Sequence, residues 1–130
     1  MKQFFQILII TSLVSAGCSL MAQQTNDDLL HQVRVDVAYL SSDLLQGRET
    51  GTEGELLAAE YIARRLESIG IQPKGGKDQW FQEFDFSFSS NPHGLSKDVK
   101  QGMNVVGYID NGASTTVVIG AHYDHLGYGH

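Results

Sequence analysis

The stretch Ser114–His130, STTVVIGAHYDHLGYGH, decides how this chain is read. Thr115 to Ile119 is a β-branched run, which fits the pleated, half-buried surface of a strand. Val117, Val118 and Ile119 put apolar groups on both faces, as in a central strand covered by helices. His122 and Asp124 follow two residues apart. If the strand continues through Ala121, both side chains leave the same face. Ligands in α/β sheets usually sit at the carboxyl ends of such strands. A neutral imidazole is a common zinc ligand, and a carboxylate behind it orients the ring and raises its basicity. A single histidine after a strand is more often a hydrogen-bonded structural group, so a metal site needs support from elsewhere in the chain.

Working outward, MNVVGYID (103–110) is a second β-branched run, and DNGA joins it to the first. Asn111-Gly112 predicts a hairpin between the two. Further upstream, QWFQEFDFSFSS alternates with a period of two. Phe84, Phe86 and Phe88 share one face with Gln82, predicting a strand with an aromatic, core-facing stripe. KGGKD reads as a turn, and NPHGLSKDVKQG (91–102), punctuated by Pro92 and Gly94, reads as a loop.

Two helices precede the strands. Thr52 with Glu55 three residues on predicts a capping box. Leu56, Ala59, Ile62, Leu66 and Ile69 then form an apolar stripe, with Arg64, Arg65 and Glu67 off it. Gly70 is the expected stop, and Pro73 prevents resumption. Earlier, Leu30, Val33, Val37, Leu40 and Leu44 recur at helical spacing. QGRETGTEGE, with Gly47, Gly51 and Gly54, breaks that first helix. Two helices followed by about three strands predict an α/β layered domain.

Composition narrows the function. The 130 residues suffice for one domain, with hydrophobic content of 42% and charged content of 18%, ordinary values for a soluble globular protein. Nine basic against 15 acidic residues give a formal charge of −6, with no basic cluster. That disfavours nucleic acid and anionic membrane surfaces as partners. Residues 1–22 read as an export signal: Lys2, an apolar core from Phe4 to Val14, then small residues. The apolar run is about half the ~20 residues a transmembrane helix needs. Cleavage after Ala22 gives a secreted chain. Alternatively, SAGC resembles a lipoprotein box, with Cys18 as the lipidated first residue. Either route places the protein in the periplasm or outside the cell. Cys18 is the sole cysteine, so a cysteine-type zinc site is excluded and any metal must be held by His, Asp and Glu.

GAHYDHLG, preceded by NVVGYIDNGASTTVVI, resembles the first metal-binding segment of the secreted di-zinc aminopeptidases. This is the bacterial leucyl aminopeptidase type, related to glutamate carboxypeptidases and glutaminyl cyclases. LSSDLLQGRETGTEGELLAAEYIARRLESIGIQP resembles the N-terminal helix pair of that family, and QWFQEFDF its following strand. The resemblance covers about Leu29 to His130. It implies that residues 27–130 are the N-terminal part of a three-layer α/β/α zinc-peptidase domain with a mixed sheet. It implies that His122 is the first zinc ligand and that Asp124 is the catalytic-site aspartate orienting it. Tyr123 and His125 fit the local pattern without being ligands. Gly47, Arg48 and Gly51 match a signature of structural role, with Arg48 capping or pairing.

In that family two zinc ions hold a hydroxide, a carboxylate base takes its proton, and the metals stabilise the charge on the scissile carbonyl of a peptide. The bridging Asp, the Glu base and the other ligands are expected beyond His130, so the chain reads as the N-terminal part of a longer enzyme, inactive alone. Only about thirty residues separate Pro73 from Met103, too few for the protease-associated insert of larger members. Two alternatives stand beside this. A metallo-β-lactamase-type hydrolase carries H-x-H-x-D-H, but Gly120 occupies the first histidine position. A non-catalytic exported binding module would use His122 and Asp124 in a hydrogen-bond network. His31 and His93 read as bystanders.

Overall fold

The computed structural model describes residues 26–88 and 98–128. The expected export signal over 1–22 with Cys18, the loop around Pro92, His93 and Gly94, and His130 lie outside the described residues. The chain falls into two units, Met1–Leu40 and Ser41–His130.

The first unit contains one described helix, α1, over 26–40. The Gln32 side-chain amide donates to Asp36 one turn on, at 3.1 Å. The helix stops before Ser41-Ser42, four residues short of the expected end at Leu44. Serine hydroxyls compete for backbone groups and favour such boundaries. Leu44 leaves the stripe and is 74% exposed.

In the second unit a 3-10 helix, Asp43–Arg48, leads into α2, Glu53–Ser68. Four strands follow: β1 Gln72–Pro73, β2 Phe81–Phe88, β3 Asp98–Val105 and β4 Gly107–Tyr108. β1 pairs with β4 and β2 with β3, both antiparallel. Helices plus small antiparallel sheets make the fold mixed α/β in the broad sense.

α2 buries Glu55, Ala58, Ala59 and Ala63. Leu45 of the 3-10 helix is fully buried with them. Ala59 belongs to the expected stripe, and Ile62 and Leu66 are half-buried. Leu56 and Ile69 depart from it, being exposed. Gly54 meets the 3-10 helix, where the backbones approach too closely for any side chain. At the C-terminus Gly70 donates to the Glu67 carbonyl at 2.9 Å and Ile71 to the Leu66 carbonyl at 3.1 Å. With Gly70 at φ +83 this is a Schellman cap,. The expected stop at Gly70 is therefore realised.

β2 and β3 pair over eight residues, from Phe81 opposite Val105 to Phe88 opposite Asp98. The Phe84 and Phe86 rings lie 6.1 Å apart at 46°. Phe84 sits opposite Gly102, and its ring occupies the space a side chain there would need. Phe84 is nevertheless 39% exposed, so the stripe is only partly core. Asp98–Gly102, expected as loop, is strand, because β2 offers it a full antiparallel partner.

The largest departure lies at 114–122. No strand forms there. Val117, Val118 and Ile119 are 86%, 88% and 94% exposed. Among the described residues, 114–122 makes no backbone–backbone hydrogen bond. β-propensity needs a neighbour to pair with, and β4 stops at Tyr108 with β1 as its partner. The expected hairpin is replaced by side-chain turns: Gly112 N–H donates to Asp110 Oδ1 at 2.9 Å and Ala113 N–H to Asn111 Oδ1 at 3.2 Å,.

Candidate functional site

Two segments far apart in sequence, 47–55 and 122–128, lie against each other within the second unit. Three successive residues at the start of the first are in the left-handed region, counting the residue just before it: Gln46 at φ 50, Gly47 at φ 69 and Arg48 at φ 51. For Gln46 and Arg48 that conformation costs roughly 1–3 kcal/mol each, and it persists only where the surroundings hold it. Here the second segment holds it. Gly127 N–H donates to the Gly47 carbonyl at 3.0 Å and His125 N–H to the Arg48 carbonyl at 2.8 Å. The Arg48 guanidinium returns a bond from Nε to the Tyr123 carbonyl at 2.7 Å. Arg48 thus pairs with backbone, in keeping with a structural role. Glu49 and His125 form a parallel bridge. Lys100 of β3 reaches Glu49 Oε1 at 3.2 Å and joins the strand to this contact.

His122 and Asp124 do not project from a strand. They lie in a segment without regular secondary structure. His122 Nδ1 lies 3.0 Å from the Asp124 carbonyl oxygen and 3.4 Å from its Oδ1. With two oxygens facing Nδ1, that nitrogen carries the hydrogen in the neutral ring, and Nε2 keeps its lone pair. The backbone carbonyl is the nearer acceptor, so the expected carboxylate contact is supplemented by the main chain. Asp124 Oδ2 accepts from the Thr50 hydroxyl at 3.0 Å. One Asp124 oxygen is therefore hydrogen-bonded and the other lies beside the His122 ring, while the His122 side chain is 82% exposed.

Tyr123, between them, turns inward. Its hydroxyl donates to the Met103 carbonyl at 2.5 Å and lies 3.4 Å from Glu55 Oε1. Burial pushes this phenol well above the usual tyrosine range, and the charge and hydrogen bond of Glu55 and the charge of Asp124 add to the rise. The sign of the consequence follows. The folded state favours neutral Tyr123, so its contribution is fully present below about pH 10, the ordinary tyrosine value, and is lost as pH rises above it. A denaturation midpoint followed from about pH 8 to 11 is expected to fall more steeply above about pH 10 in the natural chain than in Tyr123→Phe. Parallel profiles would contradict this.

Sequence reasoning singled out His122 and Asp124 as one segment and Gly47, Arg48 and Gly51 as a separate signature, and the structure docks the two segments on each other. Glu55 was visible only as a cap. The expected capping box does not form. Thr52 Oγ1 donates to the Glu49 carbonyl at 2.6 Å. Glu55 instead accepts from Gly51 N–H and from Met103 N–H. Thr50 carried no local signal at all.

For zinc, the donor chemistry is incomplete. His122 Nε2 is a suitable donor, and Asp124 is already bonded. Among the described residues, no group of three or more His, Cys, Asp and Glu side chains is placed to hold a metal ion. A catalytic zinc takes about three protein ligands plus water, so these residues offer one corner of a site and not a shell. No described helix is long and apolar enough to cross a membrane. Compared with known protein families, with curated proteins and with solved structures, the chain gives no match.

Proposed function

We propose that this chain carries the first metal-ligand segment of an exported zinc-dependent exopeptidase, an aminopeptidase acting on the N-terminal residues of peptides. His122 Nε2 is the donor to the first zinc ion, and Asp124 is the residue behind the ring. The expected three-layer domain and the two-zinc centre belong to this proposal. So do the export signal over 1–22, the lipid anchor at Cys18 and the peptide substrate.

One observation carries it. The GRETG segment and the HYDHLG segment resemble a single family in sequence, and they are docked on each other through Arg48, Thr50, Gly47 and their partners. Thr50–Asp124 and Arg48–Tyr123 join residues 74 and 75 positions apart. A strained loop held by such contacts is what a site needs when a ligand must be kept in one orientation. The His122 ring has one nitrogen tied to Asp124 and the other exposed, the state in which imidazole binds metal. The ligands still required, and the carboxylate base, are not among the described residues, so no reaction step is drawn through the metal.

The test uses the full-length gene product. It is expected to bind zinc and to hydrolyse amino-acid amides, with His122→Ala losing both while keeping its fold by circular dichroism. Full-length protein that binds no zinc, or a His122→Ala variant with unchanged affinity and rate, would leave the binding-module alternative in its place.

A further inference from the structure

Glu55 is 2% exposed, a carboxylate among buried alanines near the start of α2. Burying a charge is costly unless every lone pair finds a donor. Here Oε2 accepts from Gly51 N–H at 2.5 Å and Oε1 from Met103 N–H at 3.2 Å, and the Tyr123 hydroxyl oxygen lies 3.4 Å from Oε1 without donating to it. Those three neighbours belong to three different parts of the site: the loop after Arg48, the strand β3, and the segment bearing His122 and Asp124. Tyr123 closes the arrangement by donating to the carbonyl of the same Met103. Both backbone groups of Met103 are thus taken by side chains, on the edge of β3 turned away from β2. An apolar side chain of similar volume usually stabilises a core as well as or better than a buried charge does. A carboxylate held by neutral donors therefore earns its place through geometry, since each donor must sit at a fixed direction from it.

We propose that Glu55 is a positioning residue for the His122–Asp124 segment, acting through Gly51 and Tyr123. It sets where that segment lies relative to the loop 47–51 and to β3. The metal part of this inference rests on the function proposed above; the geometric part does not.

Two readouts separate the parts. In the 130-residue chain, amide hydrogen exchange is followed by mass spectrometry in Glu55→Gln and in Tyr123→Phe. Glu55→Gln keeps size and one acceptor but turns a donor toward an amide N–H. It is expected to raise exchange at the hydrogen-bonded amides of these segments, His125, Gly127 and Gly51, by about tenfold or more, while the β2–β3 pairs stay protected,. Ala63→Gly, a loss inside the same buried face that touches neither segment's hydrogen bonds, serves as the control for general loosening. It should leave the ratio of exchange between 121–127 and β2–β3 unchanged. In the full-length protein, zinc affinity measured with zinc ions in a chelator buffer is expected to fall about 10–100-fold in Glu55→Gln and less than about twofold in Ala63→Gly.

Exchange over 121–127 that is unchanged in Glu55→Gln, or raised equally in Ala63→Gly, overturns the inference whatever the zinc result. If the unaltered full-length protein binds no zinc while exchange responds as expected, the functional proposal fails and the positioning role stands.

Discussion

Gly54→Ala is expected to destabilise the chain by about 3 kcal/mol, the upper end for overpacking, read as a lowered denaturant midpoint. Helix propensity alone predicts the opposite sign, since alanine is favoured over glycine inside a helix by about 1 kcal/mol. The contact decides. A Cβ at Gly54 would fall on the carbonyl of Leu45, closer than any real side-chain carbon approaches, with the Arg48 amide nitrogen at 3.5 Å behind it. The obstruction is backbone and cannot rotate away. Relief requires α2 to move from the 3-10 helix, which would uncover Leu45, the one large side chain fully buried among the described residues. It would also pull Glu55 from Gly51 and Met103. A midpoint that stays level or rises in Gly54→Ala would show that the two helices do not pack this closely.

Gly47→Ala is expected to release the 123–128 segment while leaving α2 and the β2–β3 pair folded. Two costs combine there. Gly47 sits at φ +69, where a side chain is strained by roughly 1–3 kcal/mol,. Its Cβ would also overlap the backbone of Gly127. The bond from Gly127 N–H to the Gly47 carbonyl cannot survive that overlap, and the His125–Arg48 bond next to it loses its alignment. Amide exchange should rise at His125 and Gly127 to near the rate of an unstructured peptide, with little change in β3. Under the proposed function, the same variant should also weaken zinc binding by the full-length protein, since Gly47 is not a proposed ligand. Protection at His125 and Gly127 equal to that of the natural chain would contradict the docking.

These expectations mark which parts of the molecule could be read in advance. α2 and its stop at Gly70 followed from periodicity and a glycine, signals that lie within one or two turns of each other. The alternation of Phe84 and Phe86 similarly announced β2. The partial exposure of Phe84 was not legible, because cover for a sheet face comes from outside the strand. Leu56 against Ala59 shows the limit of an apolar stripe. Ranking by hydrophobicity favours leucine, whereas a close backbone approach selects alanine and glycine.

The site divides in the same way. His122 and Asp124 stood out through residue type and spacing, and Gly47 and Arg48 through their signature. Glu55 showed itself as the acidic end of a capping box, yet it accepts from Gly51 and Met103, with the Tyr123 oxygen beside it. A side chain buried beside several donors bonds to those with the best geometry, and a local motif cannot rank partners it does not contain.

By itself, then, the sequence determined that this chain makes an amphipathic α2 and an alternating β2, and it marked a histidine–aspartate pair and a glycine-rich signature as separate segments, because each depends on neighbours within a few residues. Only the tertiary structure decided that Gln46, Gly47 and Arg48 turn left-handed to receive the 123–127 backbone, and that Glu55 joins loop, strand and Tyr123. It also decided that the β-branched run at Thr115–Ile119 stays unpaired. Those outcomes depend on hydrogen-bond partners tens of residues away, and backbone groups take whichever partner the folded chain puts within reach.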